Sequence, residues 1–424
     1  MSRLEKYPKY KNSRVEWLGE IPEGWEVKPT KRFHENKKEI NTKRNCDNVL
    51  SLTLRGVVNN NIDSPEGLVP KDYATYQIFE KDNLVFKLID LENISTSRVG
   101  LVHEKGIMSS AYIRLKVGKS SLPRFAYYYF YNLYLNQVYN NLGSGVRSTL
   151  GPTDLLNILY IEPPKQEQQK IANYLDQKTA QIDKAITLKE QLIEKLKERR
   201  QVLINDAVTK GIDPNVRMKE SGVEWIGEIP EHWTIKKNKY LFFEVDERSK
   251  DGSEELLSVS HMTGVTPRSE KNVNMFMSED YTGSKTCSKD DLVINIMWAW
   301  MGAMGIADRT GIVSSSYGIY RQINQNTINT VYLEYLLKTN KYIEEYNKRS
   351  TGLHASRLRL YSDMFFDMKI GFAPFHEQRQ IVEYIENQTS KINKTISLQQ
   401  KQIEKLKEYK AILIDSVVTG KVKV

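Results

Sequence analysis

The most constraining feature of this sequence is that it is written twice. Residues 13–28 read SRVEWLGEIPEGWEVK and residues 221–236 read SGVEWIGEIPEHWTIK, with eleven of sixteen positions identical. Residues 167–209 match residues 377–419 in the same way, with nineteen of forty-three positions identical. Periods of about 20–50 residues are typical of solenoids. A spacing of 208 residues (221 minus 13) instead predicts two whole domains of one kind.

The first part of each copy is predicted to be an α+β domain. Strand-like runs alternate with Gly, Asn and Ser turns, and each copy carries one helix-like stretch rich in aromatic residues. Short echoes fall at matching places: KDNLV at Lys81 with KDDLV at Lys289, and GIMSSAY at Gly106 with GIVSSSY at Gly311. Two related α+β domains are therefore expected.

The second part of each copy is predicted to be a long helix. No Pro or Gly occurs between Pro164 and Gly211, or between Pro374 and Gly420, and apolar residues recur three or four positions apart. At 1.5 Å per residue such a helix is about 65 Å long. Its apolar stripe needs a partner, and the other copy can pair with it in a parallel or antiparallel coil. The predicted segments are a globular domain (1–163), a helical region (164–211), a second globular domain (212–373) and a second helical region (374–424).

Composition is compatible with a partner that carries phosphates. The chain has 424 residues, and 62 Lys and Arg against 53 Asp and Glu give a formal net charge of +9, which is weak evidence over this length. Two cysteines, Cys46 and Cys287, are too few for a disulfide framework and suggest a reducing cytoplasm. No secretory signal is visible, and the apolar run 292–307 is too short to span a membrane.

The duplication itself favours two half-sites on a DNA partner. Two copies joined by two helices form a pseudo-dimer, with an approximate two-fold axis if the helices run antiparallel. Duplex DNA relates its strands by local two-fold symmetry, so dimeric proteins read two half-sites. Diverged halves would read an asymmetric, bipartite site. The alternative from the repeat alone is a duplicated scaffold whose ends bind proteins.

Several of these motifs resemble the specificity subunit of type I restriction–modification systems. They are YPKYKNSRVEWLGEIPEGWEV near the start, MKESGVEWIGEIPEHW before the second copy, and PPKQEQQKI opening the first helix. The second helix departs slightly, with APFHEQ. The resemblance covers both halves. It implies two target-recognition domains and two helices that form an antiparallel coiled coil with pseudo-two-fold symmetry.

The same resemblance implies the partners. These are double-stranded DNA, two methyltransferase (modification) subunits and, through the complex, restriction/translocase subunits. The specificity subunit has no catalytic site in this family. S-adenosylmethionine, ATP and Mg are expected in the partner subunits, and no cofactor is expected in this chain.

A search for catalytic motifs agrees with a non-catalytic chain. Gly118-Lys119-Ser120 lacks the first glycine of a P-loop, and none of the His-Glu pairs has a second His at zincin spacing. No metal-ligand spacing is present among six scattered histidines. Two rivals stay open: a stand-alone scaffold or regulatory DNA binder, and an enzyme whose site has no recognisable motif.

Candidate DNA contacts come from loops rich in Arg, Ser and Thr, which suit base and phosphate contacts. The richest are GSGVRST (143–149) and STGLHASRLR (350–359), and the SSAY and SSSY segments occupy matching places. The alternatives are solvated basic loops and tight buried turns. The candidates in the first half are Arg55, Lys87, Arg98, Ser109, Ser110, Tyr112, Arg147, Ser148 and Thr149. Those in the second half are His261, Arg268, Ser314, Ser315, Tyr317, His354, Arg357 and Arg359.

Two further patterns carry expectations. Trp298 and Trp300 are two apart, so we expect both rings on one face of a strand, packed in the core. The segment EKLKE is identical in both helices and suggests a surface for two equal partners, with a solvated coiled-coil face as the alternative. The candidate partner-binding residues are Glu194, Lys195, Lys197, Glu198, Glu404, Lys405, Lys407 and Glu408.

Overall fold

The duplication of the sequence appears in the structure as a duplicated set of helices and strands. The chain divides into one unit made of Met1–Glu190 with Gln400–Val424 and a second made of Gln191–Gln399. Each unit holds one α+β domain and the parts of two long helices that pack on it, which confirms the predicted fold class. This computed structural model describes residues 5–61, 72–92, 96–142, 148–271, 280–352 and 358–424.

The first domain is built from short strands and three helices. Its strands are β1 (Tyr10–Asn12), β2 (Glu20–Pro22), β3 (Glu26–Pro29), β4 (His34–Asn36), β5 (Leu50–Thr53), β6 (Gly56–Asn59), β7 (Gln77–Phe79), β8 (Leu84–Phe86), β9 (Val99–Leu101), β10 (Gly106–Met108), β11 (Ile113–Val117) and β12 (Leu159–Glu162). Its helices are α1 (Pro123–Leu135), α2 (Val138–Leu142) and α3 (Pro152–Asn157).

A four-stranded antiparallel sheet, in the order β4-β11-β8-β9, organises the first domain. In its register Phe86 lies opposite both Ile113 and Val99, so β8 ends where β9 and β11 begin. Helix α1 buries Phe125, Tyr129 and other rings against this sheet. Helix α1 is the helix-like, aromatic-rich stretch expected in the first copy.

The second unit repeats the pattern. After the long helix α4 (Lys165–Lys210), its strands are β13 (Met218–Glu220), β14 (Glu228–Pro230), β15 (Thr234–Lys237), β16 (Phe242–Glu244), β17 (Leu257–Ser260), β18 (Gly264–Pro267), β19 (Lys285–Cys287), β20 (Leu292–Ile294), β21 (Met304–Ile306), β22 (Gly311–Val313), β23 (Gly318–Gln322) and β24 (Lys369–Phe372). Its other helices are α5 (Thr330–Leu337), α6 (Asn340–Arg349), α7 (Ser362–Asp367) and the long α8 (Phe375–Val418).

The second sheet has the equivalent strand order, β16-β23-β20-β21. Ile294 at the end of β20 lies opposite Met304, which starts β21, and Gly318, which starts β23. The two domains therefore share one topology, as the α+β repeat predicted.

The long helices α4 and α8 pair in opposite directions within each unit. In the first unit Lys410 Nζ lies 2.7 Å from both oxygens of Asp183, and Lys189 donates to Gln402. The residue numbers of the paired positions rise along α4 as they fall along α8, so the two helices run antiparallel. The second unit shows the same sense, because Arg200 donates to Asn393 while Val208 shares a core with Ile385.

A buried glutamine explains the repeated Glu-Gln at each helix start. Gln168 accepts a hydrogen bond from the N–H of Leu122, just before α1, at 2.7 Å and donates to two backbone carbonyls. Gln378 makes the equivalent bonds at the start of α5. Both side chains are fully buried. Each glutamine thus satisfies three backbone groups where a domain meets its long helix.

The preceding glutamate explains the repeated tryptophan. Trp25 Nε1 donates to Glu167 at 2.9 Å, and Trp233 Nε1 donates to Glu377 at 3.3 Å. Both indoles are buried. The motif around each tryptophan therefore joins the beginning of a domain to the first turn of its helix.

Candidate nucleic-acid interface

The register of the first sheet gathers several candidate residues at one end, called here the loop end. Lys87 follows β8, Arg98 precedes β9, and the turn from Ser109 to Tyr112 precedes β11. The N–H of Lys87 donates to the carbonyl of Arg98 at 3.0 Å. Residues far apart in the sequence thus meet because neighbouring strands start and stop together.

Ser148 and Thr149 lie at the same loop end. The N–H of Leu91 donates to the carbonyl of Ser148 at 3.2 Å, and the N–H of Leu150 donates to the carbonyl of Leu88 at 2.9 Å. Thr149 is exposed and Ser148 is half-buried. Their hydroxyls therefore sit on the segment that leaves β8. Arg147, the main candidate of this loop, lies outside the described residues.

Arg98 has a different setting from the one expected of a DNA contact. Its side chain is 1% exposed, and its guanidinium donates to the backbone carbonyls of Ile89 and Asp90 at 3.5 and 2.9 Å. Its charge is therefore directed at the backbone of the segment after β8. Arg98 therefore holds that segment in place and does not present its charge to the surface.

The SSAY and SSSY segments are tight turns at the loop end of each domain. Ser109 and Ser110 are half-buried, whereas Ser314 and Ser315 are exposed. Burial raises the pKa of Tyr112, and it also raises that of Tyr317. Both phenols therefore keep their protons and can act as hydrogen-bond donors. The turns are tight, as the buried-turn alternative expected, but they reach the surface. Their contact with DNA stays a prediction.

Two basic residues of the second domain, Arg268 and Lys271, lie near its loop end. Arg268 follows β18, and Lys271 Nζ donates to Ser258 Oγ at 3.0 Å. Burial lowers the pKa of Lys271, and the charge of Arg268 lowers this pKa further. The same charge opposes the rise in the pKa of Tyr317, so Arg268 lies near both groups. Within the described ranges neither cation forms an ion pair with a carboxylate.

Arg359 closes a second loop at the loop end of the second domain, by pairing with Thr351. Its N–H donates to the carbonyl of Thr351 at 2.9 Å, and the N–H of Thr351 donates back at 3.1 Å. The N–H of Leu360 donates to the carbonyl of Ile296, just after β20, at 3.0 Å. This bond is the counterpart of the Leu150–Leu88 bond in the first domain. His354 and Arg357 lie outside the described residues.

Arg55 and His261 occupy the tips of equivalent hairpins, β5–β6 and β17–β18. Both are exposed. Arg55 lines a cleft of about 1090 Å³ together with Tyr127 and Tyr131 of α1. In the second domain the equivalent hairpin approaches α5, where a Cβ added at Gly264 would lie 2.9 Å from the carboxylate of Glu334. The hairpin tips therefore form a group separate from the loop end.

The expected core packing of Trp298 and Trp300 is wrong for Trp298. The pair lies on a 3-10 turn at Ala299–Met301, not on a strand, and Trp298 is 48% exposed. The repeat carried a signal for this exposure, because KDNLVFKLID aligns with KDDLVINIMW and places Asp90 at the position of Trp298. Sequence reasoning also missed Lys271.

The EKLKE segments are solvated in both helices. All eight candidate side chains are exposed. Within each copy a lysine pairs with the glutamate three residues earlier, Lys197 with Glu194 at 2.7 Å and Lys407 with Glu404 at 3.1 Å. Exposed pairs of this kind stabilise a helix only slightly. The residues are thus free to meet a partner.

The described part of the chain contains no group of three or more His, Cys, Asp or Glu side chains arranged to hold a metal ion. None of its helices combines the length and apolar character needed to cross a membrane. Cys46 and Cys287 are buried free thiols.

Comparisons with known proteins agree with this architecture. Residues 22–198 match the family model of the type I restriction modification DNA specificity domain. The type I restriction enzyme MjaVIII specificity subunit of Methanocaldococcus jannaschii is 24% identical over 367 residues, which cover 82% of this chain and 81% of that protein. The putative type I restriction enzyme MjaX specificity subunit of the same organism is 23% identical over 443 aligned positions, covering 99% of each chain.

A solved structure shows the same fold. It was described for complex assembly and conformational transition of the type I restriction–modification system, and its TM-score is 0.68 at 12% identity. The match covers 94% of this chain and 98% of that one. Residues 22–198 thus match a type I restriction modification DNA specificity domain, and over most of its length the chain is similar to the specificity subunits of type I restriction enzymes.

Proposed function

We propose that this chain reads a bipartite, asymmetric DNA site, with one half-site for the loop end of each domain. The observation that carries the proposal is divergence on a duplicated scaffold. Asn60 and Arg268 both donate their backbone N–H at the base of the equivalent hairpins. Asp90 and Trp298 likewise align after β8 and β20. Two domains that recognise different DNA sequences require different side chains at equivalent positions of the same fold.

The basic cluster supports a phosphate contact in the second domain. Arg268 and Lys271 are near each other, and neither is neutralised by a carboxylate of the described chain. Phosphates on DNA would compensate both charges, and each such contact releases counterions. Affinity should therefore fall as salt rises.

The paired helices are proposed to dock two methyltransferase subunits. The support is the identity and exposure of the two EKLKE segments, since two equal partners require two equal surfaces. Those partner subunits would bring S-adenosylmethionine for methylation and, with restriction/translocase subunits, ATP and Mg. Nothing in this proposal requires a cofactor bound to this chain.

Methylome sequencing tests the proposal. Cells expressing this chain with its methyltransferase should acquire one methylated motif made of two different half-sites separated by a fixed spacer. The double variant R268A/K271A should weaken methylation through the second half-site, whereas K197A/K407A, which changes the helix face, should weaken association with the methyltransferase. A continuous motif, or no methylation by a complex that assembles normally, would contradict the proposal.

A further inference from the structure

A stacked pair of tryptophans stands at the loop end of the second domain. The ring centroids of Trp298 and Trp300 are 5.8 Å apart with 25° between their planes. Trp300 is half-buried, and its Nε1 donates to the carbonyl of Met297 at 3.1 Å. Trp298 is the outer ring, 48% exposed. The two stacked indoles together present an apolar surface, and Trp298 is its solvent-facing side.

The turn that carries the pair is anchored on both sides. Ala299, between the two tryptophans, is fully buried. Gly302 has φ of +79°, and a Cβ there would meet Ile343 of α6 at 3.1 Å. The N–H of Ala303 donates to the carbonyl of Trp298 at 3.1 Å. Because the backbone is fixed and Trp300 supports one face of the ring, Trp298 is held outward before any partner arrives.

The surroundings of the pair have the polarity of a DNA-binding surface. Asn295, which starts the turn, donates its N–H to the carbonyl of Ala303 and its Nδ2 to the hydroxyl of Tyr317 at 3.2 Å. Tyr317 in turn lies near the cation of Arg268. The exposed ring of Trp298, the hydroxyl of Tyr317 and the positive charge of Arg268 thus lie near one another at the loop end of the second domain.

The first domain has no tryptophan pair at the aligned positions. The aligned positions there are Asp90 and Glu92, both exposed. Carboxylates at these places would repel a phosphate backbone at close range, so the two loop ends cannot approach DNA in the same way. Of the two domains, only the second has the tryptophan pair at these aligned positions.

We infer that Trp298 is a DNA-contacting, specificity-determining residue that inserts as an apolar wedge at a base step of the half-site read by the second domain. Apolar side chains in DNA-binding proteins unstack base steps in this way, and easily deformed steps are favoured by the lower cost of unstacking. Trp298 would therefore favour half-sites in which one base step is easily deformed. This preference would add to the specificity that hydrogen bonds to the bases provide. This inference rests on the proposed reading of DNA by the loop ends.

The test uses the full chain with its methyltransferase and duplexes carrying 2-aminopurine at each step of the second half-site. One step should gain fluorescence on binding, and W298A should abolish the gain and weaken affinity by about 10- to 100-fold. W298F should retain most of both. Y240A is the matched control, because Tyr240 is a 64% exposed aromatic residue of the same domain just before β16, whose Phe242 lies opposite Gln322 at the other end of the sheet. It should bind DNA like the unchanged chain.

Three results would overturn the inference. W298A could bind DNA as tightly as the unchanged chain, or it could bind more weakly with the fluorescence gain intact. It could also lose its methyltransferase while keeping its affinity for DNA, which would make Trp298 a protein contact. The unfolding midpoint of W298A is measured beside these assays, and W298F supplies the answer if W298A is unfolded. Failure of the unchanged complex to bind any specific duplex would instead contradict the proposed function.

Discussion

A buried histidine in the first domain makes its stability depend on pH. His34 begins β4 and is 2% exposed, packed edge-on against Tyr160 with ring centroids 4.5 Å apart. Its Nδ1 accepts from the N–H of Gly118 at 3.3 Å, and among the described residues its Nε2 has no partner. Burial lowers the pKa of His34 from 6.5 to about 4.

The magnitude follows from this pKa difference. The folded domain keeps His34 neutral, whereas the unfolded chain takes up a proton below pH 6.5, so the free energy of unfolding falls as the pH drops from 6.5 towards 4. The full loss is about 3 kcal/mol, and the loss between pH 7 and pH 5 is about 2 kcal/mol. The aligned residue in the second domain is Phe242, which fills the same place without a titratable group.

The assay is urea unfolding of the full chain at pH 7, 6 and 5, with hydrogen exchange of β11 and β12 reporting on the first domain. Relative to the unchanged chain, H34F should gain about 2 kcal/mol of unfolding free energy between pH 7 and pH 5. H103N, which changes an exposed histidine of the same domain, should gain nothing. A difference between H34F and the unchanged chain that is the same at pH 7 and pH 5 would refute the reasoning.

Three further predictions concern the domain–helix junctions and the basic cluster. Replacing Gln168 by Ala removes hydrogen bonds to three backbone groups at the junction and should cost about 2 kcal/mol in urea unfolding of the first domain, with Gln378→Ala doing the same in the second. A loss below about 0.5 kcal/mol, which is typical of exposed residues, would contradict the role assigned to them. Trp25→Phe removes one bond to a carboxylate and should cost about 2 kcal/mol, so an unchanged midpoint would argue against that bond. Arg268→Ala should reduce the slope of log affinity against log salt by about 1, measured by titration of DNA at several salt concentrations, and an unchanged slope would exclude a phosphate contact.

The two long helices were predictable because the pattern of each extends over more than forty residues. A Pro- and Gly-free run with apolar residues three or four apart can only be a continuous helix, and α4 and α8 cover the expected stretches. The repeat then required the same topology twice. The repeated Glu-Gln and Trp were recognisable as motifs, but their purpose became visible only when the fold placed Glu167 beside Trp25.

The site was only partly predictable because it depends on strand register. Nothing in the sequence shows that Lys87 and Ser109 meet, since that follows from Phe86 lying opposite Ile113. The burial of Arg98 is likewise a tertiary effect, produced by the backbone of the segment after β8 folding over it. For Trp298, spacing suggested a strand, whereas the left-handed Gly302 closes a turn. Comparing the two copies position by position would have revealed its exposure.

The central claim is that each domain reads its own half of the DNA site, and exchange of one domain tests it most directly. Residues 212–373 are replaced by the corresponding domain of another family member, and the methylome of cells expressing the hybrid with its methyltransferase is sequenced. The account predicts that one half of the methylated motif changes while the other half and the spacer stay the same. A motif that stays intact, or one that changes in both halves, would contradict it.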